Sequence, residues 1–234
     1  MAFDHLDSVE PETFGYVATF LLVLGGFIAT LGVYVVGVSK NKNNNNFVMF
    51  NTLLISYDWS FDIIFTIWCF ASRLKSHLPI VSLSLLFIVI FVNFLLTFTI
   101  LRREINNNEQ FRVWFQEHKA FGILIAFFSL GNTTVLHVLN CRFNNMDKFN
   151  AVLSSTAEKR IIHASVIGLI LGDLPQFFLL VSVNTNLINF HVIPITAMSL
   201  NILVNFFGFF YRIYEATIRE YETPTVVNKK QLEA

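Results

Sequence analysis

Charged residues are scarce in this chain, and their scarcity excludes an ordinary soluble domain. Lys, Arg, Asp and Glu form 14% of the 234 residues, with 16 basic and 16 acidic side chains and no net charge. Soluble domains average about 25% charged residues. Hydrophobic residues form 54% of the chain and include 27 Phe. We therefore expect lipid to be the main solvent of this protein and expect no nucleic-acid partner.

Cysteine is rarer still, with two residues, and the usual catalytic motifs are missing. Cys69 and Cys141 are predicted to close two different spans on the same face of the membrane, as free thiols if that face is cytoplasmic. No Cys/His cluster has the ligand spacing of a zinc site. The sequence contains no His-Glu-x-x-His, no Gly-x-Ser-x-Gly and no P-loop. We therefore expect no enzyme activity, no catalytic residue, no cofactor and no metal.

Long apolar stretches, by contrast, are abundant, and a helix needs about 20 apolar residues to cross a bilayer. The sequence predicts an all-α, polytopic transmembrane bundle of about six spans, within residues 14–216. An acidic segment, residues 1–13, precedes it, and a polar tail, residues 217–234, follows it. The predicted spans are residues 14–38, 47–71, 78–101, 120–139, 161–183 and 191–211.

The distribution of basic residues predicts the orientation of the bundle. The acidic segment has no Lys or Arg, unlike the basic start of a signal peptide. With the N-terminus inside, ten Lys and Arg residues fall on the inner side and six on the outer side. Because basic residues concentrate in cytoplasmic loops, this imbalance favours cytoplasmic positions for both termini of a multi-pass membrane protein.

Two aspartates lie within the second predicted span. Asp58 and Asp62 are four residues apart and therefore project from one face of a helix. A charge in mid-membrane costs about 2.5–3.5 kcal/mol on insertion scales. Two buried like charges repel each other, so either one carboxyl group carries a proton or both meet donors from other helices. We expect these residues to belong to a functional path or to a buried charge network.

The fifth predicted span contains a helix-breaking residue beside polar ones. Pro175 lacks an N–H group and clashes with the carbonyl of Leu171, so it predicts a kinked helix. Asp173 and Gln176 flank it. Broken helices at membrane depth line polar cavities and transport sites. The alternative is a structural kink in which these polar side chains only fill the break.

Polar residues in the fourth and sixth spans complete the candidate set. Asn201, Asn205 and Arg212 follow one face of the sixth span, and His137 lies near the end of the fourth. The asparagines suit either a polar path or hydrogen bonds between helices. His137 suits either a proton relay or contact with headgroups. An inner-face arginine, Arg212 or Arg73, is predicted to be the partner of Asp62, which leaves Asp58 more isolated.

Small residues predict which helices pack closely. Spans one and five carry small residues at helical spacing, which lets helices approach each other. These residues are Ala18, Gly25, Ala29 and Gly32 in span one, and Ala164, Gly168 and Gly172 in span five. The third span has no sustained polar stripe, so we expect it at the lipid-facing periphery.

Two short motifs resemble one known family. The run Asp173-Leu-Pro-Gln176, followed by Phe-Phe-Leu-Leu, resembles the Pro-Gln helix of the XK-related family, which includes phospholipid scramblases. The pair in Asp58-Trp-Ser-Phe-Asp62 is similar to the paired aspartates in an early helix of that family. Uncharacterised fungal multi-pass proteins share both features. The resemblance implies that Asp58, Asp62, Asp173 and Gln176 line a path for lipid headgroups.

The chain also departs from that family. Gly172 occupies the position where the family usually has Glu, and Phe61 replaces the usual Thr or Ser before the second aspartate. The chain is shorter than typical members, and its tail shows no caspase site, so activation by cleavage is not implied. Three functions remain open: scramblase-like movement of lipid, transport of an ion or proton by a small transporter or channel, and a non-transporting scaffold. Membrane lipids are the expected partners, together with a second copy or another membrane protein.

Overall fold

The computed structural model describes residues 11–40, 45–72, 77–186 and 191–217, and all regular elements in these ranges are helices. The α-helices are α1 (Pro11–Lys40), α2 (Asn46–Ala71), α3 (His77–Asn107), α4 (Glu109–Glu117), α5 (Lys119–Phe128), α6 (Ser155–Gly168), α7 (Leu174–Asn186) and α8 (Val192–Thr217). The predicted all-α bundle is confirmed. Residues 1–10 of the predicted acidic segment and residues 218–234 of the predicted tail lie outside the described residues.

Five helices in the described part of the chain are long and apolar enough to cross a membrane, as expected of a multi-pass integral membrane protein. They are α1, α2, α3, the continuous unit formed by α6 and α7, and α8. In place of the predicted fourth span the structure has α5, which is shorter, followed by a 3₁₀ helix, Thr133–Asn140.

The contacts between helices define the two ends of the bundle. At the Cys69 end, α2 ends, α8 begins, and the ring of Trp68 lies 5.3 Å from that of His191. At the Phe47 end, α2 begins, and the ring of Phe47 lies 5.9 Å from that of Tyr211 near the end of α8. Because α1 runs antiparallel to α2, with Gly37 against Asn46, its first residue faces the Cys69 end. Helices α1 and α8 therefore start at the same end of the bundle and point the same way.

Residues 119–140, which contain the predicted crossing helix 120–139, instead enter the bundle and turn back. The side-chain amide of Asn93, in the middle of α3, donates to the carbonyls of Leu130 (3.1 Å) and Gly131 (3.0 Å). The return limb, Thr133–Asn140, ends near the level where α3 ends. Ala151 N donates to Leu139 O at 2.8 Å, and Asn108 Nδ2, just after α3, donates to the neighbouring Val152 O at 2.8 Å. We call residues 119–140 the hairpin and residues 129–132 its tip.

Local sequence explains why the helix breaks at the tip. The side chain of Asn132 accepts hydrogen bonds from Thr134 N (3.0 Å) and Thr134 Oγ1 (2.7 Å), as an N-cap residue does. Two β-branched threonines follow, and such residues disfavour the α-helix. The tip therefore ends α5 and starts the 3₁₀ helix.

The predicted irregularity at Pro175 is present in the fifth crossing helix. A π-helical turn, Leu169–Asp173, separates α6 from α7. The N–H of Leu174 bonds to Leu169 O, five residues back, just before the proline that has no N–H to offer. The wider turn thus accommodates Pro175 without interrupting the crossing helix.

The close contacts of the glycines differ in part from the prediction. A Cβ at Gly26 would overlap the Tyr57 ring, and one at Gly37 would meet the side chains of Asn46 and Phe143, whereas Gly25 and Gly32 have no neighbour within 4 Å in the described residues. The packing face of α1 is therefore turned by one residue from the predicted stripe. In the fifth crossing helix Gly172 does pack closely, because a Cβ there would lie 2.7 Å from Val89 Cγ2.

Helix α3 has a lipid-facing side, as predicted, and a polar inner side that was not predicted. Its exposed side carries Phe87, Phe91, Phe94 and Phe98. Its buried side carries Ser82, Asn93, Thr97 and Glu104. Glu104 accepts hydrogen bonds from Ser154 N (2.7 Å) and Ser154 Oγ (2.8 Å) and so fixes the start of α6.

Candidate functional site

A small, partly open cavity collects the acidic residues predicted from the sequence. Asp58 and Asp62 of α2, Asp173 of the π-helical turn and Gln176 of α7 all line it. We call it the acidic cavity. It offers about 20 Å³ of space to water, and a cavity of about 10–15 Å³ on this measure holds one water molecule. It is therefore a site for one water molecule or one small ion.

Local geometry places these four side chains on common faces. Asp58 and Asp62, at i and i+4, share one face of α2, and Asp173 and Gln176, at i and i+3, share one face where α7 begins. Gly172 lets α3 approach this turn, with Val89 filling the space that a side chain would need. Leu85, Leu86 and Val89 of α3 thereby form an apolar wall of the cavity.

The hydrogen bonds of the site differ from the predicted pairing of Asp62 with Arg212. Asp62 Oδ1 accepts a hydrogen bond from Gln176 Nε2 at 3.1 Å. Arg212 instead lies beside Asp173, with 3.9 Å between Nη2 and Oδ2. The Arg212 guanidinium is held there because Nε donates to Ser165 Oγ and Nη2 to Ser165 O, both at 3.2 Å. Packing of α8 against α6 thus directs the arginine to Asp173.

Asp58 is more isolated than Asp62, as the sequence predicted. It is 6% exposed, and its Oδ1 atom has no hydrogen-bond partner among the described residues. The described side chains that line the cavity include no Lys or Arg. Asp58 therefore lines the cavity with one of its two carboxylate oxygens buried and without a donor from the described residues.

The charges of the described residues around the cavity do not balance. With every group ionised, three carboxylates would face the one guanidinium of Arg212. Burying unbalanced charge is strongly unfavourable in a low-dielectric interior. Protons or a small cation would restore the balance. The arrangement is therefore suited to binding positive charge.

The hairpin contributes cavity residues that were not predicted. Gly131 and Asn132, both at the tip, line the cavity, and so does Trp59 of α2. A Cβ on Gly131 would lie 2.8 Å from Trp59 Cγ, so the tip packs directly on the indole. The sequence contained one signal for this contact: Asn93, which holds the tip, lies on the same helical face as Ser82, Thr97 and Glu104.

The other predicted residues lie away from the cavity. His137 is buried in the 3₁₀ helix, with its ring 5.8 Å from the ring of Tyr211 towards the Phe47 end. Asn205 Nδ2 donates to Asn201 O and Asn201 Oδ1, both at 2.9 Å, so this contact lies within α8 and does not join two helices. Pro175 lies between Asp173 and Gln176 and shapes the turn without lining the cavity.

A metal centre does not match the side-chain positions in the described part of the chain. No group of three or more His, Cys, Asp or Glu residues in residues 11–40, 45–72, 77–186 and 191–217 is placed to hold a metal ion.

Comparison with protein-family models, with curated proteins and with solved structures finds no match to this chain. The candidate site therefore stands on its geometry and on the sequence motifs.

Proposed function

We propose that this protein is a membrane transport protein in which the acidic cavity binds and releases protons or a small monovalent cation. The observation that carries the proposal is the convergence of Asp58, Asp62 and Asp173 on one small cavity with space for about one water molecule. Ionisable residues at membrane depth that face the bundle interior mark ion and proton pathways in general.

The side chains around the cavity have separate roles in this proposal. Gln176 holds Asp62 through its amide, and Arg212 balances Asp173. Asp58 keeps one carboxylate oxygen without a donor among the described residues. In this proposal Asp58 and Asp62 together hold a proton or cation that enters. No other charged side chain among the described residues lines the cavity from α2, α3, the hairpin or α7.

The size of the cavity separates this proposal from the lipid path implied by the family resemblance. A phospholipid headgroup is several times larger than the roughly 20 Å³ of space that the site offers. Movement of a headgroup past these acids would require α2, α3 and α7 to separate. Scramblase-like movement of lipid is therefore the second candidate function, and the flux assay described next distinguishes the two.

The test is a flux assay on purified protein in liposomes. A trapped pH-sensitive dye reports proton movement, ion-sensitive dyes report Na⁺ and K⁺, and fluorescent phospholipid reports movement of lipid. We expect proton or cation flux from the wild type and at least a tenfold loss in Asp58→Asn, which keeps the shape of the side chain but removes its charge. The matched control is Asp147→Asn, which removes an exposed carboxylate far from the cavity.

Three results would contradict the proposal. Wild-type flux in a correctly folded Asp58→Asn protein would show that the acidic cavity is not on the path. Lipid movement without proton or cation flux would favour the scramblase-like function. No movement of any of these species would favour a scaffold whose acids only fix the packing of helices.

A further inference from the structure

The hairpin lies between the acidic cavity and the Phe47 end. It enters the bundle after α3 and α4, and its tip reaches the cavity through Gly131 and Asn132. The return limb leads back to the Phe47 end, where Ala151 N donates to Leu139 O at 2.8 Å and Phe143 lies against Gly37. The hairpin therefore fills the space between the Phe47 end and the side of the cavity that its tip lines.

The tip is held mainly by side chains of α3. Asn93 supports two tip carbonyls, and Thr97 Oγ1 forms a hydrogen bond with Ser129 Oγ at 2.9 Å. Non-helical backbone at membrane depth is tolerated where protein or a watery cavity satisfies its polar groups. Here both conditions meet at one place, because the tip touches α3 on one side and the cavity on the other.

The return limb has an unusual conformation that permits a change in length. It is a 3₁₀ helix of eight residues, although such helices rarely exceed three or four residues. A 3₁₀ helix rises about 2.0 Å per residue and an α-helix about 1.5 Å, so conversion of these residues to α-helix would shorten the limb by about 4 Å. That distance exceeds the width of a water molecule. Withdrawal of the tip would then need α5, which is joined to its other side, to slide towards the Phe47 end by a similar distance.

We propose that residues 119–140 are a re-entrant gate, which closes the acidic cavity towards the Phe47 end and opens it when the tip withdraws from Asn93 and Thr97. The proposal rests on the proposed function of the acidic cavity and adds the side from which the cavity is reached. It also requires the hairpin to enter and leave the membrane at one face.

Locking the tip tests the gate directly. The hydroxyl groups of Thr97 and Ser129 are in contact, so a Thr97→Cys/Ser129→Cys pair brings two sulfur atoms within reach of a disulfide. The native cysteines are replaced by Ala in this background. The matched control lock is Thr66→Cys/Ser82→Cys, whose hydroxyl oxygens are 2.8 Å apart and which joins α2 to α3 away from the hairpin.

Two readouts follow each lock: ion flux in liposomes, and modification of Asp58 by a water-soluble carbodiimide, measured by mass spectrometry. We expect oxidation of the hairpin pair to reduce both at least tenfold, reduction to restore both, and the control lock to leave both near the wild-type level. Full flux and full modification in the oxidised hairpin pair would overturn the gate. Equal losses in both locks would also overturn it, since the cause would then be general rigidity.

The second readout separates failure of the gate from failure of the proposed function. If no variant transports ions, the proposed function fails, but the carbodiimide still reports whether the lock closes the cavity. Should the cysteine pair not fold, Asn93→Leu takes its place, because it removes the two bonds to the tip and should raise the rate of Asp58 modification severalfold. An unchanged rate in a folded Asn93→Leu protein would overturn the proposal.

Labelling of single cysteines tests the re-entrant path. In the cysteine-free background, Gln110→Cys, Asn150→Cys and Ser72→Cys place a thiol at exposed positions before the hairpin, after the hairpin and at the Cys69 end. A membrane-impermeant maleimide should label positions 110 and 150 from the same side and position 72 from the other. Labelling of 110 and 150 from opposite sides would show that residues 119–140 cross the membrane, and the gate would be excluded.

Discussion

Removal of the charges of Arg212 and Asp173, beside the acidic cavity, is the most direct test of the electrostatics of the site. Arg212 and Asp173 are separated by 3.9 Å, and their side chains are 11% and 17% exposed. At an effective dielectric constant of about 20, Coulomb's law gives an attraction of about 4 kcal/mol at this distance. Breaking a buried pair by removing one partner generally costs about 3–5 kcal/mol, because the other charge is left uncompensated. We therefore expect Arg212→Leu to destabilise the protein by about 3–5 kcal/mol.

The partner of Arg212 is identified by a second substitution. Arg212→Leu combined with Asp173→Asn should recover at least half of the lost stability, because the uncompensated carboxylate is gone. Arg212→Leu combined with Asp62→Asn should recover much less, because Asp62 is held by Gln176. Thermal unfolding in detergent is the measurement. For a protein of this size, a loss of about 3–5 kcal/mol corresponds to a fall in the melting temperature of about 6–20 °C.

Equal recovery in both double variants would refute the assignment of Asp173 as the specific partner. A folded Arg212→Leu protein with the melting temperature of the wild type would refute the charge argument as a whole. Ser165→Ala is the control for the hydrogen bonds of the guanidinium, since it removes the Oγ contact to Arg212 but keeps both charges. Its expected loss is about 1 kcal/mol, near that of a single hydrogen bond.

Three other predictions concern packing, thiol reactivity and the amide of the site. Gly26→Ala should lower stability by about 1–3 kcal/mol because the added methyl group overlaps Tyr57. Gly25→Ala has no neighbour within 4 Å among the described residues and should be neutral or slightly stabilising. The melting temperatures of the two variants in detergent test this difference. Cys69 and Cys141 are 0% and 1% exposed, and burial raises the pKa of the Cys141 thiol to about 12. Maleimide at pH 7 should therefore label neither cysteine until the protein unfolds. Rapid labelling of the folded protein would contradict their burial. Gln176→Leu removes the donor to Asp62 and should reduce flux at least tenfold in a folded protein, while undiminished flux would exclude the amide from the path.

Composition and periodicity were sufficient to predict the helical bundle and half of the site. Long apolar runs with few charges leave the backbone no partner except its own helix, so the fold class follows from the sequence alone. The shared face of Asp58 and Asp62 follows from their four-residue spacing in one helix. The irregular turn follows from the missing N–H of Pro175.

Relations between distant segments could not be predicted in the same way. The sequence indicated that Asp62 needed a donor, but only the packing of α7 against α2 supplied Gln176 for it, and the packing of α8 against α6 directed Arg212 to Asp173. The two native cysteines were predicted to share one face. The turn in the hairpin instead returns Cys141 to the Phe47 end, opposite Cys69.

The hairpin, residues 119–140, shows most clearly what hydropathy cannot predict. A stretch of 20 apolar residues has the same hydropathy whether it crosses the bilayer or turns back halfway, because hydropathy measures transfer into lipid and not direction. The direction depends on whether a neighbouring helix can satisfy the backbone at the turn, and here Asn93 of α3 does so. Similarly, Gly25 and Gly26 differ by about 100° around α1, and only the contact with Tyr57 of α2 decides which of them packs. Local hydrogen bonding and hydrophobicity determined the elements, while the tertiary structure decided which polar groups meet, because each partner lies on a different helix.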